Sequence, residues 1–125
     1  NDQTLVILQT ESPLGIANSA EIYAQPGCDA IFVGPNDLTF QMRQPDGTFP
    51  TNEALEAAIA QVVNAGRQAG TPTGMHVLTA EQADLRIAQG MQFVAVSSDL
   101  GMLAGSASSV SKALGLAAQA DIARY

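Results

Sequence analysis

The polar residues best suited to chemistry stand directly after short apolar runs: Gln9 and Glu11, Asn36 and Asp37, His76, then Ser97 and Asp99. Glu11 and Asp37 follow neighbouring runs, one β/α unit apart, so their carboxylates could face one shared point. Two carboxylates without a sulfur donor or a close histidine pair describe a hard, oxygen-ligand site of the Mg2+ or Mn2+ kind, with positions left for water or substrate oxygens. On the residues alone a plainer reading carries equal weight, in which such acids are solvated or cap the next helix. The Gly34-Pro35-Asn36-Asp37 turn adds backbone N–H groups at 36 and 37 that could receive a substrate carboxylate, although an ordinary β-to-α turn would read the same way.

Strands must position these groups, and the apolar runs supply them. Leu5–Leu8, Ala30–Val33, Thr73–Val77 and Gln92–Val96 read as strands; the continuous apolar run Leu5–Leu8 suits burial on both faces, and Gly74 is the weak point of the third. A helix is expected from Pro13 to just before Pro26, and a loop carrying Pro45, Asp46-Gly47 and Pro50 after the second strand. The clearest helix aligns Leu55, Ala58, Ile59, Val62 and Val63 on one face, has Glu53 and Glu56 near its start and Arg67 near its end, and stops at Gly70. Thr79 and Gln82 form a capping box ahead of a helix that closes at Gly90, and a small-residue helix is expected over about 106–120.

Four β/α units of roughly 30 residues define an α/β chain with a parallel sheet. Two architectures compete: a doubly wound sandwich, which the length favours, and half of a (β/α)8 barrel of ~250 residues, which the strand-end polar residues favour. The 125 residues suit one domain or a piece of one. A net charge of −7 argues against nucleic acid and anionic membrane as partners, and there is no apolar run of the ~18 residues that a membrane span requires. The single cysteine, Cys28, cannot form an internal disulfide, and without a Cys/His cluster structural zinc is not indicated. A soluble protein of a reducing compartment, the cytoplasm, is expected. The start at Asn1, with a strand by Leu5, suggests a processed or truncated product.

Longer motifs carry a resemblance. Gln9-Thr10-Glu11-Ser12 is similar to the Gln-x-Glu-Thr metal strand of the HpcH/HpaI aldolase and citrate lyase family, in its metal-dependent (class II) pyruvate aldolase branch. The run from Pro26 to Leu38 resembles that family's Pro-Gly-x-Asp-x-x-Phe-x-Gly-Pro-x-Asp-Leu signature, in register with Gln9 and Glu11, and Phe93–Val96 followed by Asp99 resembles its last barrel strand. The resemblance runs from about Leu5 to Leu103. Ser12 replaces the Thr, Ser97 stands where the family commonly has Gly, and the segment 41–50 differs from the short loop of many bacterial members, which makes a fungal branch of the macrophomate synthase kind a further relative.

The resemblance implies that residues 1–125 are the C-terminal half, strands five to eight, of one (β/α)8 barrel. It implies a divalent metal (Mg2+ or Mn2+, with Co2+ an alternative) on Glu11 and Asp37, and contacts from Gln9, Asn36 and Asp37 to a small 2-oxo acid of the pyruvate or oxaloacetate kind. The implied reaction is reversible cleavage of 4-hydroxy-2-oxo acids to pyruvate and an aldehyde through a metal-stabilised enolate. The family's catalytic His and Arg belong to the other half, so a complementary N-terminal half-barrel and a homo-oligomer are the expected partners. No residue of this chain is assigned as catalytic: His76 is read as packed or supporting, and Arg43 as a loop residue. The alternatives are a non-catalytic half-barrel acting in assembly and a free-standing α/β binding domain.

Overall fold

The computed structural model describes residues 3–116. Among them, four strands alternate with helices: β1 (Ile7–Thr10), α1 (Pro13–Ala17), α2 (Ser19–Tyr23), β2 (Ala30–Val33), α3 (Pro35–Gln41), α4 (Asn52–Ala69), β3 (Thr73–Val77), α5 (Ala80–Gln89), β4 (Phe93–Val96) and α6 (Asp99–Ala113). The sheet is wholly parallel, in the order β1-β2-β3-β4, with Ile7 beside Ala30, Val33 beside Met75 and His76 beside Ala95.

That order decides between the two architectures. A doubly wound sheet reverses its strand order at a switch point, which sends helices to both faces. Here each strand lies beside its predecessor, so right-handed crossovers leave all the connecting helices on one face. Ile31, Val33, Met75 and Val77 turn to that side and are buried with Tyr23 of α2 and Ile59 and Val62 of α4. The other face carries Ile7 and Phe93, which remain 47% and 36% exposed, so burial on both faces is not met within these residues.

Two glycines mark close approaches. A methyl group at Gly66 of α4 would strike the Thr73 side chain and lie 2.8 Å from the Thr71 carbonyl oxygen, so α4 can rest directly on the start of β3. At Gly74 the Phe93 ring lies 2.7 Å from where a β-carbon would be, and the ring also meets Phe32 at 5.2 Å between centroids. The glycine that weakened the third strand in the sequence is thus the seat of an aromatic neighbour.

The helices depart from expectation in three places. The Pro13 helix is broken at Asn18, whose carbonyl accepts from the N–H groups of Glu21 and Ile22 and restarts the helix so that Tyr23 turns inward. Tyr23 then donates to Thr10 Oγ1 at 2.8 Å, while Thr71 donates to the Tyr23 carbonyl, and burial pushes the phenol's pKa up. Residues 35–41 form a helix rather than loop, because Pro35 occupies a first-turn position that needs no N–H and Leu38 is fully buried. The last helix begins at Asp99 instead of near Ser106, because Ser98 Oγ accepts from the Gly101 N–H and caps it there; it ends at Ala113, and 117–120 of the expected range lie outside the described residues. Thr79 caps α5 as expected, its Oγ1 accepting the Gln82 N–H, but the return bond of the capping box goes to the residue before the cap, the Gln82 side chain accepting the N–H of Leu78.

Helices α4 and α5 are joined by a forked ion pair, Arg86 to Glu56, with both bonds at 2.6 Å. Arg86 is buried and Glu56 half-exposed, and these hydrogen bonds hold the Glu56 carboxyl below its usual range. A carboxyl whose pKa is lowered by folding contributes stability above its unfolded pKa of about 4.3 and loses it as pH falls through the folded value. Glu56→Gln is expected to cost about 1 kcal/mol near neutral pH, the solvent-exposed side of the pair keeping the loss modest. The gap from wild type should close in urea titrations below about pH 4.

Candidate active site

By the strand register, Gln9, Glu11 and His76 fall at the carboxyl ends of β1 and β3 on the bare face, while Asn36 and Asp37 begin α3 just past the end of β2. Continuing the strand register by one residue gives a row across the sheet of Glu11, Gly34, His76 and Ala95. The second place in the row has no side chain, and the first fills it: a β-carbon at Gly34 would collide with Glu11 Oε2 and come within 3.2 Å of Gln9 Nε2. Glycine is required here for space and not for backbone freedom, since φ −89° and ψ 95° suit any residue. The space-making role of Gly34 beside Glu11 was not anticipated in the sequence; its only signal was a Gly-Pro step after an apolar strand.

Glu11 Oε2 is buried and has no hydrogen-bond partner. A carboxylate oxygen in that state costs free energy unless something cationic or hydrogen-bonding reaches it. The β1 end that carries it is fixed by the buried Tyr23–Thr10 hydrogen bond one residue earlier. Asn36 and Asp37 occupy the first turn of α3, both exposed, so the expected turn is a helix start with Gly34 as its N-cap. The backbone N–H groups of 36 and 37 make no hydrogen bond among the described residues.

Among the described residues no group of three or more His, Cys, Asp or Glu side chains comes together. A cation between Glu11 and Asp37 would therefore draw two carboxylates from this chain and fill its other positions with water or substrate oxygens, as Mg2+ and Mn2+ do. The partnerless Oε2 fits such an ion.

The other candidates divide. His76 is half-buried, and its Nε2 lies 3.0 Å from the carbonyl oxygen of Ser97. Ser97 has φ 60°, the left-handed conformation, held by its own N–H donating to the Val77 carbonyl; the glycine expected at this position would meet that conformation without strain. Asp99 is drawn away from the site, its Oδ1 accepting from the Leu100 N–H at the start of α6. Arg43 lies over the Phe40 ring at 3.5 Å and reaches Phe49, bracing the loop after α3. A cavity of about 540 Å3 opens between α3, α4 and α5, with Asn36 and His76 in its wall. It does not include Gln9, Glu11 or Asp37.

A one-sided parallel sheet with acids at its carboxyl edge is four consecutive units of a (β/α)8-barrel protein. The HpcH/HpaI aldolase/citrate lyase family model matches residues 1–105, and the chain belongs to that family. It is 38% identical to a hydroxypyruvate/pyruvate aldolase of Delftia acidovorans over 82% of this chain and 38% of that protein. An HpcH/HpaI aldolase/citrate lyase family protein from Burkholderia cenocepacia superposes with a TM-score of 0.79 at 31% identity, over 91% of this chain and 44% of that one. Macrophomate synthase shares the fold, with a TM-score of 0.73 at 23% identity over 92% and 40% of the respective chains. The chain thus spans less than half the length of the relatives it matches. No helix of the described residues is long and apolar enough to cross a membrane.

Ser97 offers a stability test independent of chemistry. Ser97→Gly relieves a left-handed side chain at the cost of a freer unfolded chain, for an expected net gain of about 0.5 kcal/mol, whereas Ser97→Val should lose about 2 kcal/mol or more. Chemical denaturation of the three proteins compares them directly.

Proposed function

We propose that this chain is the C-terminal half, strands five to eight, of a divalent-metal-dependent aldolase that cleaves 4-hydroxy-2-oxo acids reversibly to pyruvate, or a close oxo acid, and an aldehyde. The observation that carries the reading is the buried, partnerless Glu11 Oε2 lodged in the space that Gly34 leaves. Membership of an aldolase and lyase family supports it.

Glu11 and Asp37 would hold Mg2+ or Mn2+, with Co2+ an alternative. When bound, the ion acts as a Lewis acid on the oxo and carboxylate oxygens of the substrate. The Gln9 amide, beside Glu11 over Gly34, donates to the oxo acid, and the unused N–H groups of Asn36 and Asp37 receive its carboxylate. Proton transfer at the 4-hydroxyl falls to a group from a complementary N-terminal half-barrel, where the family resemblance puts the catalytic His.

The surface supports a partner. Ile7 and Phe93 on the bare face call for the remaining strands of a barrel. Helix α6 has no buried residue and exposes Leu100, Met102, Leu103 and Val110, which favours a homo-oligomer covering it. The lone Cys28 fits a cytoplasmic setting.

Two experiments on the complete barrel test the assignment. Glu11→Gln and Asp37→Asn are each expected to lower kcat/KM for Mn2+-dependent pyruvate release by about 100-fold or more, with Glu11→Gln leaving the metal-free protein at least as stable. Unchanged turnover in either variant would sink the metal assignment. Gly34→Ala should keep the fold by circular dichroism while weakening Mn2+ affinity by about tenfold or more in calorimetry, because the added methyl evicts the Glu11 carboxylate. Wild-type protein that neither binds Mn2+ nor releases pyruvate would leave a half-barrel whose role is assembly.

A further inference from the structure

His76 is the next side chain in the row that holds Glu11. Because Gly34 contributes none and Glu11 occupies its place, the carboxylate and the imidazole become lateral neighbours, about one strand spacing (~4.8 Å) apart. Beyond His76 the row continues with Ala95, too small to cover the ring.

The ring's hydrogen bonding is already half decided. A carbonyl oxygen only accepts, so the 3.0 Å contact between Nε2 and the Ser97 carbonyl places a hydrogen on Nε2. In the neutral ring Nδ1 is then an acceptor, and it makes no hydrogen bond among the described residues. The ring cannot turn over to exchange its nitrogens without releasing Ser97, whose left-handed backbone is held from two sides. In that tautomer of the neutral ring the site presents an acceptor beside the carboxylate that would carry the metal.

Resting on the aldolase reading above, we propose that His76 is a specificity-determining residue, whose Nδ1 accepts a hydrogen bond from a hydroxyl on carbon 3 of the oxo acid, so that the site favours 3-hydroxy-2-oxo acids over those with an unsubstituted methyl. A divalent metal held by Glu11 and Asp37 would supply Lewis-acid binding for the 2-oxo acid end of the substrate, and carbon 3 would then be the nearest atom whose substituents vary. A neutral acceptor there rewards a hydroxyl and offers nothing to a methyl hydrogen, and a net hydrogen bond corresponds to a selectivity of roughly three- to tenfold. No proton needs to move through His76 for this role; it positions one substituent.

Two variants separate the role from simple bracing of the β4–α6 turn. His76→Gln keeps an N–H donor that can reach the Ser97 carbonyl and moves the acceptor, now the amide oxygen, off the Nδ1 position, whereas His76→Leu removes both. The complete barrel, loaded with Mn2+, is assayed for aldol addition to one common aldehyde with hydroxypyruvate or pyruvate as donor, and titrated calorimetrically with each oxo acid in the absence of aldehyde. The expected result is a roughly three- to tenfold fall in the hydroxypyruvate-to-pyruvate ratio of kcat/KM in both variants, matched in the binding ratio, with pyruvate turnover retained in His76→Gln. Equal loss for both donors, rescued by Gln, would overturn the proposal and leave His76 a brace for Ser97. A wild type active with both donors and showing an unchanged ratio in the variants would overturn it as well. A wild type inactive with both would overturn the aldolase reading first and this inference with it.

Discussion

All the crossovers between β1 and β4 run the same way around the sheet, and the rest of the molecule follows from that constraint. Helices collect on one side, where Ile31, Val33, Met75 and Val77 find apolar partners in α2 and α4, and the other side is left to face whatever completes the cylinder. The carboxyl edge then becomes the one line where side chains from all four strands meet. Gly66 lets α4 lie against β3, and the forked Arg86–Glu56 pair ties α4 to α5, so the edge rests on a stiff backing.

On that backing the chain tolerates a locally unfavourable arrangement. A buried carboxylate oxygen without a partner and a serine in a left-handed conformation each cost stability, and each follows the carboxyl end of a strand, β1 and β4. The core compensates through ordinary means: a tyrosine hydroxyl on a threonine, a leucine fully enclosed at the start of α3, and helix caps at Ser12, Thr51, Thr79 and Ser98.

Much of this was legible in the sequence. The four strands follow from apolar runs, α4 from the stripe Leu55 to Val63, and Glu11 and Asp37 from their position after neighbouring strands. What escaped had physical reasons. Helix α3 hid behind Gly34-Pro35, which reads as a turn whether or not a helix follows; the break at Asn18 depends on where Tyr23 finds Thr10, a contact between distant residues. The apolar run Leu5–Leu8 suggested a strand covered on both faces, whereas the four described strands have helices on only one side. Gly34 escaped because an absent side chain leaves no pattern, although it sets where Glu11 can go.

The sequential strand order also bears on how the chain acquires its shape during synthesis. Each strand pairs with the one made before it, so no segment must wait for a distant partner to emerge before it can dock, and α4 can settle on its sheet as soon as β3 arrives. For a parallel sheet, whose long crossovers ordinarily make for slow folding, this gives a stepwise route that matches the direction of translation. Among the described residues β1 and β4 are the edge strands, and such edges are the surfaces through which a stalled intermediate would find the wrong neighbour.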